Sequence, residues 1–464
     1  MASNFKSVQF SDVSSSGRFD AKYFFLKDKI RVYASNRKIS LISLGEKGLI
    51  KKITDGEHSG QIFYEEGITF IKNSSVKDFD ISQYDGFYIS KEKHESLSRS
   101  ALKDEDVLFT TIGHLGSAAI VPERFGEANI NQNLVKMEIN REMMSPYYLA
   151  AFLNSSFVRS QIDSLLTGNI QSILTYPKIK EIKVINADKS FQLEIENLYK
   201  ESINYGRKAI SKFEDAKRLI RHELKLDKKK IGYKKCYEVA LSSMNSTLWT
   251  PKYHFPKYIN MIEYFKENFT TEPLSKLVKY TGGDEVGSAV YNSYLEKKDD
   301  DVPFIRTSDI YNYQYDLCPD YFVDHEIYED LEQGISKGDI LFSNDGKIGM
   351  ISMIVDDEPI IVQSHINILK KKSSKITMEY LYALFMLDEI NFYQCDKCTV
   401  IQSTIPTLAK RLNEFVVPIL DDDVIKKVTE IIKEANGLIA KKKAAVRLMQ
   451  KKIEDLLEEA ALGE

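Results

Sequence analysis

The order of sequence motifs in the first half of this chain recurs in its second half, displaced by about 232 residues. A period that long marks a duplicated domain, because the units of solenoids are much shorter. Phe19-Asp20-Ala21-Lys22-Tyr23 is answered by Trp249-Thr250-Pro251-Lys252-Tyr253. Phe70-Ile71-Lys72-Asn73-Ser74 is answered by Phe304-Ile305-Arg306-Thr307-Ser308. The run Asp106 to Gly113 is matched by Asp339 to Gly346, and each places a further glycine three residues on, Gly116 and Gly349. Ile130 to Asn133 stands opposite Val362 to His365, Tyr148-Leu149 opposite Tyr380-Leu381, and Ile170-Gln171-Ser172 opposite Ile401-Gln402-Ser403. One such match means little. Their common order and nearly constant offset point to one ancestral module written twice.

Each copy carries the same succession of patterns. Short β-rich runs bounded by turn residues come first: 67–72, 107–111, 118–121 and 133–139, then 302–307, 340–343, 350–355 and 366–370. A helix follows, Pro146 to Leu153 extending onward and Met378 to Asp388, with Ser145 and Thr377 placed to cap it. A last strand is expected over 179–185 and 414–419. Each copy then closes with a long charged pattern free of proline. Phe191, Ile195, Leu198, Ser202, Tyr205, Ala209, Lys212, Ala216 and Leu219 step by four and three, as do Val424, Val428, Ile431, Ala435, Leu438, Lys442, Ala445, Met449 and Lys452. Both seams contain faults, and Ile220 and Ile453 restore the apolar stripe one residue further along. Helices of roughly 35–40 residues would be about 55 Å long. Matched seams in a duplicated chain favour pairing with each other. The expected fold class is mixed α/β (α+β), an internal duplication of a globular domain followed by a long helix. The basic stretch Lys225 to Lys235 reads as the start of a linker.

Composition narrows the function. With 464 residues, 43% of them hydrophobic, the chain can bury several cores. It has no apolar run of membrane-spanning length, its first ten residues lack a secretory signal core, and four cysteines make no disulfide framework, so the cytoplasm is the expected location. The net charge of −4 argues against a sequence-independent nucleic-acid coat but leaves room for local basic patches. Catalytic signatures are missing. Gly346-Lys347 lacks the upstream glycine of a phosphate loop, and Gly113-His114-Leu115-Gly116 is no dinucleotide fingerprint. There is no Pro-Pro for an Asn-Pro-Pro-aromatic methylation motif, and Pro319-Asp320 lacks the carboxylate and lysine of a nuclease at the required spacing. Cys395 and Cys398 form a lone C-x-x-C, without the second pair that zinc requires.

A chain of this size without catalytic chemistry is expected to bind. Polar residues follow the strands at matched places: Lys72, Asn73 and Ser74; Thr110, Thr111 and His114; Gln132 and Asn133; Gln171 and Ser172. The second copy has Arg306, Thr307 and Ser308; Ser343, Asn344 and Lys347; Gln363, Ser364 and His365; Gln402 and Ser403. Such side chains donate and accept at base edges and phosphates. Individually they also serve as ordinary turn residues. As groups they differ between copies while the framework agrees, as two readers of two different sequences would.

The chain resembles the DNA specificity subunits of Type I restriction-modification systems. The Gly338-Asp339-Ile340-Leu341-Phe342 run with Gly346 and Gly349, its counterpart Glu105 to Phe109 with Gly113 and Gly116, and the Gln171-Ser172 and Gln402-Ser403 segments carry the likeness. The family's Pro-rich turn with Glu-Gln before each helix is reduced here to Pro418, and copy one has Asn186-Ala187-Asp188-Lys189. The resemblance implies target-recognition domains over 1–187 and 246–419, helical regions over 188–229 and 420–464, and a linker over 230–245. It implies that each recognition domain reads half of a split double-stranded DNA target, partly in the major groove, and that the helices form an antiparallel coiled coil fixing the spacer. It implies partners: two DNA adenine methyltransferase subunits and restriction or translocase subunits. S-adenosylmethionine, ATP and magnesium would belong to those partners, and no metal, cofactor or catalytic residue to this chain. The rival readings are a non-catalytic protein-interaction scaffold and an enzyme whose site follows no known motif.

Overall fold

The computed structural model describes residues 8–16, 19, 21–36, 39–58, 62–82, 86–166, 173–226, 236–244, 249–286, 301–402 and 404–462. Gln171, Ser172, Ser403 and the basic stretch beyond Leu226 lie outside the described residues. The chain divides into two compact units, 1–204 with 442–464, and 205–441.

The duplication holds strand by strand. In the first unit four strands lie in the order Ile50–Asp55, Leu134–Ile139, Val107–Thr110, Ala118–Ile120, every neighbour antiparallel. The second unit repeats that order with Val278–Gly282, Ile366–Lys371, Ile340–Ser343 and Ile351–Met353. A three-stranded sheet accompanies each. Ile68–Ile71 runs antiparallel to Tyr88–Ile89 and parallel to Ala128–Ile130. Val302–Ile305 runs antiparallel to Phe322–Val323 and parallel to Ile361–Val362. A pair of edge strands also recurs, Leu41–Ser43 with Lys183–Ile185 and Thr270–Pro273 with Val416–Ile419.

Every residue of Val107–Thr110 and Ile340–Ser343 is buried, because apolar material covers both sheet faces. Alternation sorts those faces. Leu341 packs with Ile354, Ile366 and Ile368, whereas Ile340 and Phe342 join the cluster containing the helix Met378–Phe385. Ser145 and Thr377 cap their helices as expected, accepting from the N–H groups of Tyr148 and Tyr380. The start of each final expected strand is helical instead. Tyr176–Glu181 and the 3-10 turn Ala409–Glu414 precede strands shortened to Lys183–Ile185 and Val416–Ile419. Buried amides fix those strands alike in both units. Gln161 accepts from the Lys183 N–H at 2.7 Å and donates to its carbonyl at 2.9 Å. Gln394 does the same with Val416, at 2.7 and 3.1 Å.

The long helices are Lys189–Glu223 and Asp422–Leu462. Asp188 starts the first by accepting from the N–H groups of Ser190 and Phe191. The expected seams are right at every second position; of the others Ala445 is buried too, and the rest are out of phase. The buried line runs Ile195, Tyr199, Ser202, Gly206, Ala209, Phe213, Ala216, Ile220 on one helix. On the other it runs Ile425, Val428, Ile432, Ala435, Ile439, Lys442, Val446, Met449, Ile453. Both are regular heptads, so the faults came from choosing the wrong neighbour at alternate steps. In the first unit Glu194 pairs with Lys452, and in the second Lys212 pairs with Glu434.

Candidate nucleic-acid interface

In each unit the polar segments that follow different strands are drawn together by main-chain hydrogen bonds. In the first, the Asn131 N–H donates to the Ile71 carbonyl (3.1 Å), Thr111 to Asn133 (2.9 Å) and Leu174 to Thr111 (3.0 Å). In the second, Gln363 donates to Ile305 (2.9 Å), Asn344 to His365 (2.8 Å) and Leu408 to Asn344 (3.1 Å). Segments 72–74, 110–114 and 131–133 therefore share one edge, as do 306–308, 343–347 and 363–365. Leu174 is the equivalent of Leu408.

A further pair of segments joins each edge. Glu57 donates to the Ile130 carbonyl and Asp284 to that of Val362, both at 3.1 Å. The preceding residues must be glycine. A Cβ on Gly56 would lie 2.0 Å from the Ile130 oxygen, and one on Gly283 2.3 Å from the Val362 oxygen. Gly56-Glu57 and Gly283-Asp284 were a readable sequence signal, a glycine before an acid in both copies.

The named side chains fall into three groups. Thr110 and Ser343 are fully buried, and Thr111 nearly so, which removes them from any contact surface. Thr110 Oγ1 accepts from the Ser117 N–H (2.9 Å), and Ser343 Oγ accepts from that of Met350 (2.8 Å) while donating to the Lys347 carbonyl (2.5 Å). Their role is to hold the loop that carries the paired glycines. A second group is engaged within its own loop. Arg306 lies 3.3 Å from Asp309 and 3.5 Å from Asp320, with its guanidinium 3.9 Å from the Tyr321 ring centroid. Two carboxylates offset its charge, so it is no unpaired reader of guanine. Ser308 Oγ donates to Asp309 (3.1 Å), and Ser364 Oγ to Glu285 (3.4 Å). Asn344 donates to Asp345 (3.1 Å), whose other oxygen lies 3.0 Å from His365 Nδ1. Asn73 donates to the Ile112 carbonyl (3.1 Å), and His114 Nε2 lies 2.7 Å from Ser117 Oγ. Lys72 sits over the Phe63 and Phe87 rings, 4.4 and 3.3 Å from their centroids. The third group faces outward: Ser74, Lys347 and Gln402 are exposed, and Thr307, Gln132, Asn133 and Gln363 partly so.

Sequence reasoning missed apolar residues on the same edges, because such residues read as core. Ile62 (73% exposed), Phe63 and Tyr64 flank the Lys72 segment, and Ile401 (74%) and Ile405 (45%) flank Gln402. Among the described residues, no group of His, Cys, Asp and Glu is arranged to hold a metal ion. Cys395 and Cys398 are buried, and burial raises both thiols, Cys398 to about 12. No described helix is long and apolar enough to cross a membrane.

Residues 284–445 match the family model described as Type I restriction modification DNA specificity domain, a span that contains all the second copy's converging loops from Asp284 onward. No curated protein matches the chain. Similar solved structures include a Type I restriction-modification S subunit from M. genitalium, at 14% identity over 92% of this chain and 97% of that one, with a TM-score of 0.35. An HsdS subunit from Thermoanaerobacter tengcongensis has 12% identity over 90% and 96%, with a TM-score of 0.28.

Proposed function

We propose that this chain is the DNA specificity subunit of a Type I restriction-modification complex, each copy of its module reading one half of a split target. One observation carries the reading. At positions made equivalent by the same main-chain hydrogen bonds, the two copies present different side chains: Asn131 against Gln363, Asn133 against His365, Glu57 against Asp284. A shared frame with altered donors and acceptors is what two different half-sites require. The long helices each begin in one unit and end in the other. They act as the ruler between half-sites and as the docking surface for two methyltransferase subunits and for restriction subunits. Chemistry resides in those partners: S-adenosylmethionine is the methyl donor, and ATP with magnesium drives translocation. This chain contributes sequence choice alone.

The test is to map modified adenines across the genome with and without this gene, partner genes being expressed. Loss of methylation at one split motif is the expected result. If every methylated motif persists, the chain directs no methyltransferase and the proposal fails.

A further inference from the structure

The hairpin Val400–Gln402/Ile405–Thr407 is fastened to the second unit's loop edge. Asp345 bridges to Thr407, and the Gly346 N–H donates to the Pro406 carbonyl at 2.9 Å. Its strands pair Val400 with Thr407, Ile401 with Pro406 and Gln402 with Ile405. Directly paired residues project from the same face of a ribbon, with Cβ atoms about 5 Å apart. Thr407, at the root, is buried, while Gln402 and Ile405, toward the tip, are exposed. Lys347, in the adjoining loop, and Lys410, in the turn that follows, are exposed, and Arg411 beside Lys410 is half-buried.

We propose that this hairpin enters the major groove of the second half-site and that Gln402 and Ile405 together read one A·T pair. A two-stranded ribbon fits that groove. A glutamine amide matches the N6 donor and N7 acceptor of adenine, and an aliphatic side chain packs on the thymine methyl of the same pair. Lys347, Lys410 and Arg411 supply the cations that phosphates on both sides of the groove need. Contact with the methyl also removes from water an aliphatic side chain that the protein leaves uncovered. The inference rests on the chain being a DNA reader and adds the element and the base pair.

The experiment uses the full chain with its methyltransferase partners and a duplex bearing the mapped target. Thymines of the second half-site are replaced by deoxyuridine, which deletes only the methyl group. The wild-type complex is expected to lose about tenfold in affinity at one such position. Ile405→Ala should lose a similar factor on the natural target and be indifferent to the deoxyuridine. Gln402→Ala should relax selection at that same base pair and at no other. A second half-site with no A·T pair, or Ile405→Ala and Gln402→Ala complexes that bind and discriminate like wild type, would overturn the hairpin's role while leaving the reading subunit intact. A wild-type complex that binds target and random duplex equally would overturn both.

Discussion

Gly346 and Gly349 show how a turn can be required by conformation alone or by conformation and space together. Both are left-handed, with φ of +71° and +84°. A methyl group on Gly346 would meet nothing, whereas on Gly349 it would lie 3.0 Å from Cys395 Sγ and from the Phe392 ring. Gly346→Ala is expected to cost about 1–2 kcal/mol from backbone strain, and Gly349→Ala a further 1–3 kcal/mol from overpacking. Thermal unfolding of the two variants measures the difference. Glu196 gives a pH prediction. Burial opposes its charge, but hydrogen bonds from Lys200, Ser145 and Arg141 outweigh burial and hold its pKa below the ordinary 4.5. A lowered folded-state value means that its contribution is present above pH 4.5 and is lost as the pH falls through the lower value. Glu196→Gln should therefore flatten the acid limb of stability against pH and leave the alkaline limb unchanged. The glycines were legible in the sequence, since their spacing recurs in both copies. The partners of Glu196 were not, because Ser145 and Arg141 lie some 50 residues away on another element.

The elements were legible wherever a local pattern determined them. The helix Pro146–Leu153 starts where expected because a serine cap and a proline stand there, but it stops at Leu153 instead of running on. Edge strands such as Leu41–Ser43 were not foreseen, since three residues carry no periodicity and the pairing with Lys183–Ile185 is remote. In the long helices the amphipathic face was wide enough to admit two seams one residue apart. Packing selected Phe213 over Lys212, because Phe213 is fully buried and meets the rings of Tyr313 and Tyr382 edge-on at 5.7 and 6.0 Å. Phe213→Ala is expected to destabilise the second unit by about 3–5 kcal/mol. Lys212→Ala, which removes only an exposed ion pair with Glu434, should cost under about 1 kcal/mol. Denaturant titration of both variants, followed by hydrogen exchange in each unit, separates these outcomes.

At the scale of the whole molecule, duplication was the most legible feature, and the site the least. The sequence showed which segments were polar and repeated. It did not show that Thr110 and Ser343 turn inward or that Arg306 is held by its own acids, since those outcomes depend on strands distant in sequence. The proposed ruler makes a quantitative prediction. Seven residues added to both helices at paired positions lengthen each by about 10 Å. That is roughly 3 base pairs at 3.4 Å each, so the methylated motif should keep both half-sites and gain that many spacer positions. The central claim, that each copy reads its own half-site, is tested most directly by mapping adenine methylation in cells carrying only second-copy substitutions, at Lys347, Gln363 and Gln402. The account predicts a motif degenerate or changed in one half, with the other half and the spacer as in wild type. A change in both halves together, or in the half assigned to the first copy, would contradict it.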